Sequence, residues 1–208
     1  MHAVVEEKPV ASTTSLIVAN LIAIVLALIE GWDLRELMLV YWSQSVIIGY
    51  YSFRRMMDLK TFSTKGVRMN DQKVDPTEKT KKSMAWFFVV HYGFFHLMYF
   101  LFIVVDPAEP FELNWFFFWV CVAAFFVNHG YSYRTHRDLD AERVPNIGTI
   151  MLFPYARIIP MHLTILAGGW ITGASTFALL IFLGLKTAAD VVMHKIEHSS
   201  WRALPGSS

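Results

Sequence analysis

Apolar residues fall into long runs separated by short polar segments. A bilayer core about 30 Å thick takes about 20 apolar residues per helix. Six runs approach that length, at 15–29, 37–53, 84–105, 115–133, 154–171 and 177–194. Ser12, Thr13 and Thr14 stand before the first as N-caps, and Gly31 ends it. Glu6 and Glu7 face Lys8 where a secretory leader would be basic, and no small-residue cleavage site follows. The first run is therefore expected to remain as a span. The pattern predicts an all-α polytopic membrane helix bundle, six transmembrane helices in one domain over residues 1–208, without repeats.

The polar segments orient the bundle. Residues 54–82 hold nine Lys and Arg: Arg54, Arg55, Lys60, Lys65, Arg68, Lys73, Lys79, Lys81 and Lys82. The turns at the other end hold Glu30, Asp33, Glu36, Asp106, Glu109 and Glu112, with Arg35 their only cation. The positive-inside rule then predicts that both termini and the loop at 60–82 are cytoplasmic.

Composition removes the soluble classes. Of 208 residues, 55% are hydrophobic and 17% charged, with a mean hydropathy of +0.41. A soluble domain carries about 25% charge, so too little polarity is present to cover a water-facing surface. A net charge of +1 leaves no basic patch for nucleic acid, and none is expected as a partner. Cys121 is the single cysteine and cannot form an intramolecular disulfide.

Ionisable side chains are costly in hydrocarbon, so those inside the runs are candidates for function. They are His91, His96, His129, Arg157, His162, Lys186, Asp190 and His194, with His198 one turn on. At 1.5 Å per residue from the nearer cytoplasmic end of each run, His91 and His162 come to about 12 Å deep. His129 and Asp190 come to about 8 Å, and Gln44, between Ser43 and Ser45, to about 15 Å. Four helices thus present ionisable groups to one expected layer. Asp190, His194 and His198 are spaced i, i+4, i+8 on one helical face, and the histidine pair has the spacing of helical zinc motifs. Glu197 lies beside that face as a candidate acid, base or ligand-orienting residue.

Gly93, Gly130 and the Ala167-Gly168-Gly169 run are expected to let helices approach closely. Pro160 is expected to bend its helix just before His162. Some members have plainer roles. His96 lies five residues past His91, partly on another face, and fits an interhelical hydrogen bond. Arg157 and Lys186 fit snorkelling, and Lys186 with Asp190 also fits a structural ion pair. The block Trp115–Trp119 reads as an interfacial belt, and His2 and His136 as solvated.

Several stretches together resemble an uncharacterised family of bacterial multi-pass membrane proteins, a domain of unknown function. They are Tyr41-Trp42 through Gly49 with Arg54-Arg55-Met56, His91-Tyr92-Gly93-Phe94-Phe95-His96, and His129-Gly130. Pro154-Tyr155-Ala156-Arg157 leading to His162, and Lys186-Thr187 leading to Asp190, His194 and His198, complete the set. The sequence departs from that family's pattern at Gln44, where an acid is usual, and at Asn128, where serine is usual. The resemblance implies a location in the bacterial inner membrane and no particular reaction. More loosely, His194, His198 and Asp190 are similar to the final-helix zinc ligands of alkaline ceramidase and adiponectin-receptor type membrane hydrolases.

The residues point first to a metal-dependent membrane enzyme, a zinc hydrolase acting on an apolar, lipid-like small molecule near the cytoplasmic leaflet. Its expected ligands are His91, His129, His162, Asp190, His194 and His198, with Asp190 and Glu197 moving protons. Gln44, Arg157, Lys186 and His96 are secondary. Iron also suits histidine and carboxylate, although clustered HxxHH boxes are absent. Two alternatives stand beside it. One is a b-type haem cytochrome, whose paired axial histidines sit at equal depth. The other is a proton or divalent-metal transporter, for which a homo-oligomer would complete the path. Membrane lipids are partners in every case. Within the enzyme reading, His162→Ala is expected to cost more function than His96→Ala.

Overall fold

The computed structural model describes residues 7–32, 34–105 and 113–168. Among these the chain forms α1 (Glu7–Glu30), α2 (Leu34–Asp58), α3 (Glu78–Val104), α4 (Trp115–Ala141) and α5 (Ile147–Gly168). Two short strands, β1 (Arg68–Met69) and β2 (Gln72–Lys73), interrupt the loop before α3. By length and composition α3 and α4 are apolar enough to cross a membrane, and shorter apolar stretches run over Asn20–Glu30 and Ile147–Ala156. The expected run at 177–194 lies outside the described residues.

The helices overrun the apolar runs, and the reasons are local. Thr77 caps α3 by accepting from Thr80 N at 3.2 Å, with Glu78 in the first turn against the positive helix end. This start precedes residue 84. Lys81 in that added turn is buried, its Nζ donating to Leu59 O and Glu78 Oε1, each at 2.7 Å. Asn146 accepts from Thr149 N at 3.1 Å and starts α5 at Ile147, ahead of residue 154. At the other end Asn114 caps α4 through Phe116 N, and α4 runs on to Ala141.

Helix α2 is central and packs against α3, α4 and α5, while α1 packs on α4. Arg35 donates to Ile103 O at 2.6 Å, and Trp42 Nε1 to His96 O at 2.8 Å, so α2 and α3 are antiparallel. Tyr41 meets Phe125 while Arg55 meets Asp140, so α2 and α4 are parallel. The core between them is filled by Leu37, Val40, Met56, Phe88 and Phe125.

The loop from α2 to α3 is more ordered than a hydrophilic stretch suggests. Asn70 and Asp71 both have positive φ, at 51° and 61°, making the two-residue type I′ turn that joins β1 to β2. Ser63 N donates to Pro145 O and Ile147 N to Ser63 O, which ties this loop to the start of α5.

Close approach of one helix to another depends on glycines at two positions. A Cβ on Gly130 would stand 2.8 Å from Tyr51 Oη, and one on Gly49 would stand 2.6 Å from Tyr92 Cε1. Gly93 was expected to serve likewise, yet among the described residues nothing lies within 4 Å of its Cβ position. Tyr92 has little room to retreat, because its hydroxyl meets Ser45 Oγ at 3.0 Å and Ser45 O at 2.9 Å. Gly49→Ala is accordingly expected to destabilise the fold by about 1–3 kcal/mol through overpacking. A denaturant titration in detergent reads this as a lowered midpoint; a wild-type midpoint would mean that α3 yields at no cost.

Candidate functional site

Of the described histidines in the apolar runs, His91 and His162 lie on one face of α5, His129 on another, and His96 at the α2–α3 contact. On one face, α3 and α5 share a seam of histidine–tyrosine pairs. His91 Nδ1 lies 2.9 Å from the Tyr155 hydroxyl, and His162 Nδ1 lies 2.9 Å from the Tyr99 hydroxyl. Both partners advance together along the chain, so α3 and α5 run parallel. Phe87 stacks on the His91 ring at 5.3 Å and Phe95 meets it edge-on at 5.1 Å, which holds the ring plane. The side chains of His91 and His162 are exposed among the described residues.

These pairs revise the expected layer. His162 lies seven residues beyond Tyr155, and Tyr99 eight beyond His91, so His162 sits about 10 Å further along the axis. The depth count placed them level because it began the helix at Pro154, whereas the helix begins at Ile147 and Tyr155 is the residue level with His91. That offset also removes the equal depth on which a His91–His162 haem pair depends.

His96 is buried at the α2–α3 contact. Its Nδ1 lies 2.9 Å from Tyr92 O one turn back, and its ring stacks on Tyr92 at 4.1 Å. A proton on Nδ1 satisfies that carbonyl; Nε2 has no hydrogen bond among the described residues. This is the structural place expected of it. Deleting a buried, stacked ring opens a void, so His96 carries more of the fold than the exposed His162.

His129 lies on the other face of α5. It is buried and lines a cavity between α2, α4 and α5 together with Arg55, Ser132 and His136. The structure therefore does not bring His129 into the α3–α5 seam. His136, expected to be solvated, is half-buried, with Nδ1 2.7 Å from Ser132 O. Gln44 is buried on α2, with Ser43 and Ser45 beside it. Arg157 lies within α5. Lys186, Asp190, His194, Glu197 and His198 lie outside the described residues. Among the described residues no three or more His, Cys, Asp or Glu side chains gather to hold a metal ion.

Sequence reasoning missed the tyrosines. Tyr155 follows the proline that was read as a helix start, and Tyr99 sits eight residues from His91 in an aromatic-rich run. The available signal was periodicity. The spacings 91–99 and 155–162 are each about two helical turns, so each helix offers one histidine and one tyrosine from the same side.

Arg55 also emerges from the structure, at the loop end of α2. Its Nε donates to Asp140 Oδ2 at 2.6 Å and its Nη2 to Oδ1 at 3.0 Å, a two-pronged pair with both side chains almost fully covered. It closes the α2–α4 contact beside the cavity.

Comparison with known proteins gives a family and no activity. A family model described as a family of unknown function (DUF6498) matches residues 3–205. No curated protein and no solved structure matches the chain.

Proposed function

The chain belongs to this family of unknown function, and from that premise we propose that it is a metal-dependent enzyme of the membrane acting on a lipid-like substrate. The proposed bundle has six spans with both termini cytoplasmic and lies in the bacterial inner membrane. Large apolar side chains on its surface support a lipid environment: Val90 and Phe116 are each 70% exposed and Val127 is 71%.

The observation that carries the enzyme reading is the anchoring of His91. A metal-bound imidazole characteristically donates its second N–H to a fixed acceptor, which sets the tautomer and the ring orientation. With Nδ1–H donating to Tyr155 Oη, the Nε2 lone pair of His91 is left for a ligand, and the flanking aromatic rings prevent rotation. Asp190, at an expected depth within about 4 Å of that of His91, would supply the carboxylate, and His194 and His198, further along the same helical face toward its cytoplasmic end, would supply imidazoles. This donor set of imidazoles and a carboxylate fits zinc, which takes three protein ligands and keeps an open position at catalytic sites. Zinc would lower the pKa of a bound water toward about 7, giving a nucleophile for an ester or amide carbonyl. Glu197 would carry the proton. His162 and Tyr99, one level deeper in the same seam, line the route of an apolar substrate. In this reading His129 is not a ligand, because it occupies the opposite face of α5. The likeness to alkaline ceramidase and adiponectin-receptor type hydrolases is confined to the expected Asp190–His194–His198 face.

Metal analysis of protein purified without a histidine tag tests the proposal. One zinc per chain is expected in the native protein, and none when Asp190 and His194 are both replaced by alanine. A stoichiometry near zero in the native protein, or a Soret band in its absorption spectrum, would overturn it.

A further inference from the structure

Where α2 and α4 end and α5 begins, the three helices leave a cavity of about 70 Å³. At about 10–15 Å³ per water-sized probe, that is room for roughly five waters or one small polar group. Ile48, Ile150 and Phe153 make its apolar side. Ser52, His129, Ser132 and His136 make its polar side, with Arg55 at the margin.

The polar side is rich in donors. No carboxylate is among the described residues lining the cavity. Asp140, the nearest acid through Arg55, is held by both prongs of that guanidinium and is 8% exposed. His136 lies against Ser132 O through Nδ1 at 2.7 Å, which fixes its ring beside the cavity. Charge of both signs surrounds the site: Arg134 is in electrostatic reach of Tyr51, while the lining Tyr133 donates to Asp58 and is also in reach of Arg54 and Arg137. Hydroxyls, imidazoles and guanidiniums without a lining acid suit an anion with several acceptor oxygens.

A second observation lies one helical turn above Ile48. Gln44 is 3% exposed, and its Nε2 has no hydrogen-bond partner among the described residues. The α2–α4 register, Tyr41 with Phe125 and Arg55 with Asp140, puts Gln44 level with Asn128 and His129. A buried amide N–H without an acceptor is costly, and this one stands at the level of the cavity-lining His129 without itself lining the cavity.

We propose that this cavity binds a small oxyanion of the phosphate class, either free phosphate or the headgroup of an anionic phospholipid. The site is separate from the α3–α5 seam, and its occupation does not depend on a metal there.

The test is thermal unfolding of the intact chain in detergent. One arm titrates inorganic phosphate against chloride at matched ionic strength. The other titrates short-chain phosphatidic acid against the matching phosphatidylcholine. A rise in midpoint is expected in at least one arm: with phosphate if the free ion suffices, with phosphatidic acid alone if the headgroup needs its lipid. The double variant Ser132→Ala/His136→Gln should need at least tenfold more of the same ligand. Should that variant fail to fold, Ser52→Ala should shift the same titration in the same direction. Midpoints indistinguishable from the chloride and phosphatidylcholine controls would overturn the proposal. So would an unshifted titration in whichever of these variants folds.

Discussion

Asp140→Ala is expected to lower the stability of the folded bundle by about 3–5 kcal/mol, the usual cost of removing one member of a buried ion pair. The side chains of Arg55 and Asp140 are only 12% and 8% exposed, so the guanidinium left behind cannot regain full hydration. Two of its donors also lose their acceptors at once, those now 2.6 Å and 3.0 Å from the carboxylate. The cost comes mainly from stranding a charge, so Arg55→Met/Asp140→Leu should recover most of it. Denaturant titration of the two single variants and the double variant measures the coupling. A wild-type midpoint for Asp140→Ala would show that the pair is hydrated and contributes nothing.

Tyr155→Phe is expected to weaken retention of the proposed metal by about 10–100-fold, the range seen when the second hydrogen bond of a metal-bound histidine is lost. The phenyl ring keeps the packing against Phe88 and Tyr92 while removing the oxygen that meets His91 Nδ1. Tyr99→Phe is the matched control, since it removes the partner of His162 and leaves His91 untouched. Competition with chelators of graded strength, on the full chain, reads the difference. Equal retention in the two variants would remove the reason for preferring His91.

Much of the helical framework was legible as apolar runs, because long unbroken apolar stretches leave the backbone little alternative to helix, and α3 and α4 are apolar enough to cross a membrane. What lay beyond the runs was not. The turn from Glu78 to Ser83 is helical although polar, because Thr77 caps it and Lys81 finds Leu59 O and Glu78. The reach of α4 to Ala141 needs Arg55 from another helix to neutralise Asp140. Hydropathy sees neither: the cap and the Glu78–Lys81 pair lie within one polar turn, and Lys81–Leu59 and Arg55–Asp140 join residues far apart in the chain. The error in the level of His162 has the same origin. Depth counted from the edge of an apolar run inherits the edge, and α5 begins a further two turns back, at Ile147.

The site was half legible. His91 and His162 were identified as intramembrane polar residues, and both do face the α3–α5 seam with fixed hydrogen-bond partners. Their tyrosine partners were lost among the aromatics that any membrane helix carries. His129 was assigned to the same layer by depth alone. Depth fixes one coordinate of three, and rotation about the helix axis sends His129 to the cavity on the other face of α5. Gly93 was assigned close contact by residue type, while the contact belongs to Gly49, whose role follows from where Tyr92 points.

The central claim is that His91, held through Nδ1 by Tyr155, is the α3 ligand of a catalytic metal. Anomalous scattering at the zinc absorption edge, recorded from crystals of the full chain purified without a tag, tests it most directly. The account predicts a single peak at bonding distance from His91 Nε2, about 2.0–2.1 Å. A peak beside His162 or His129 instead, or no peak in protein shown to be active, would contradict it.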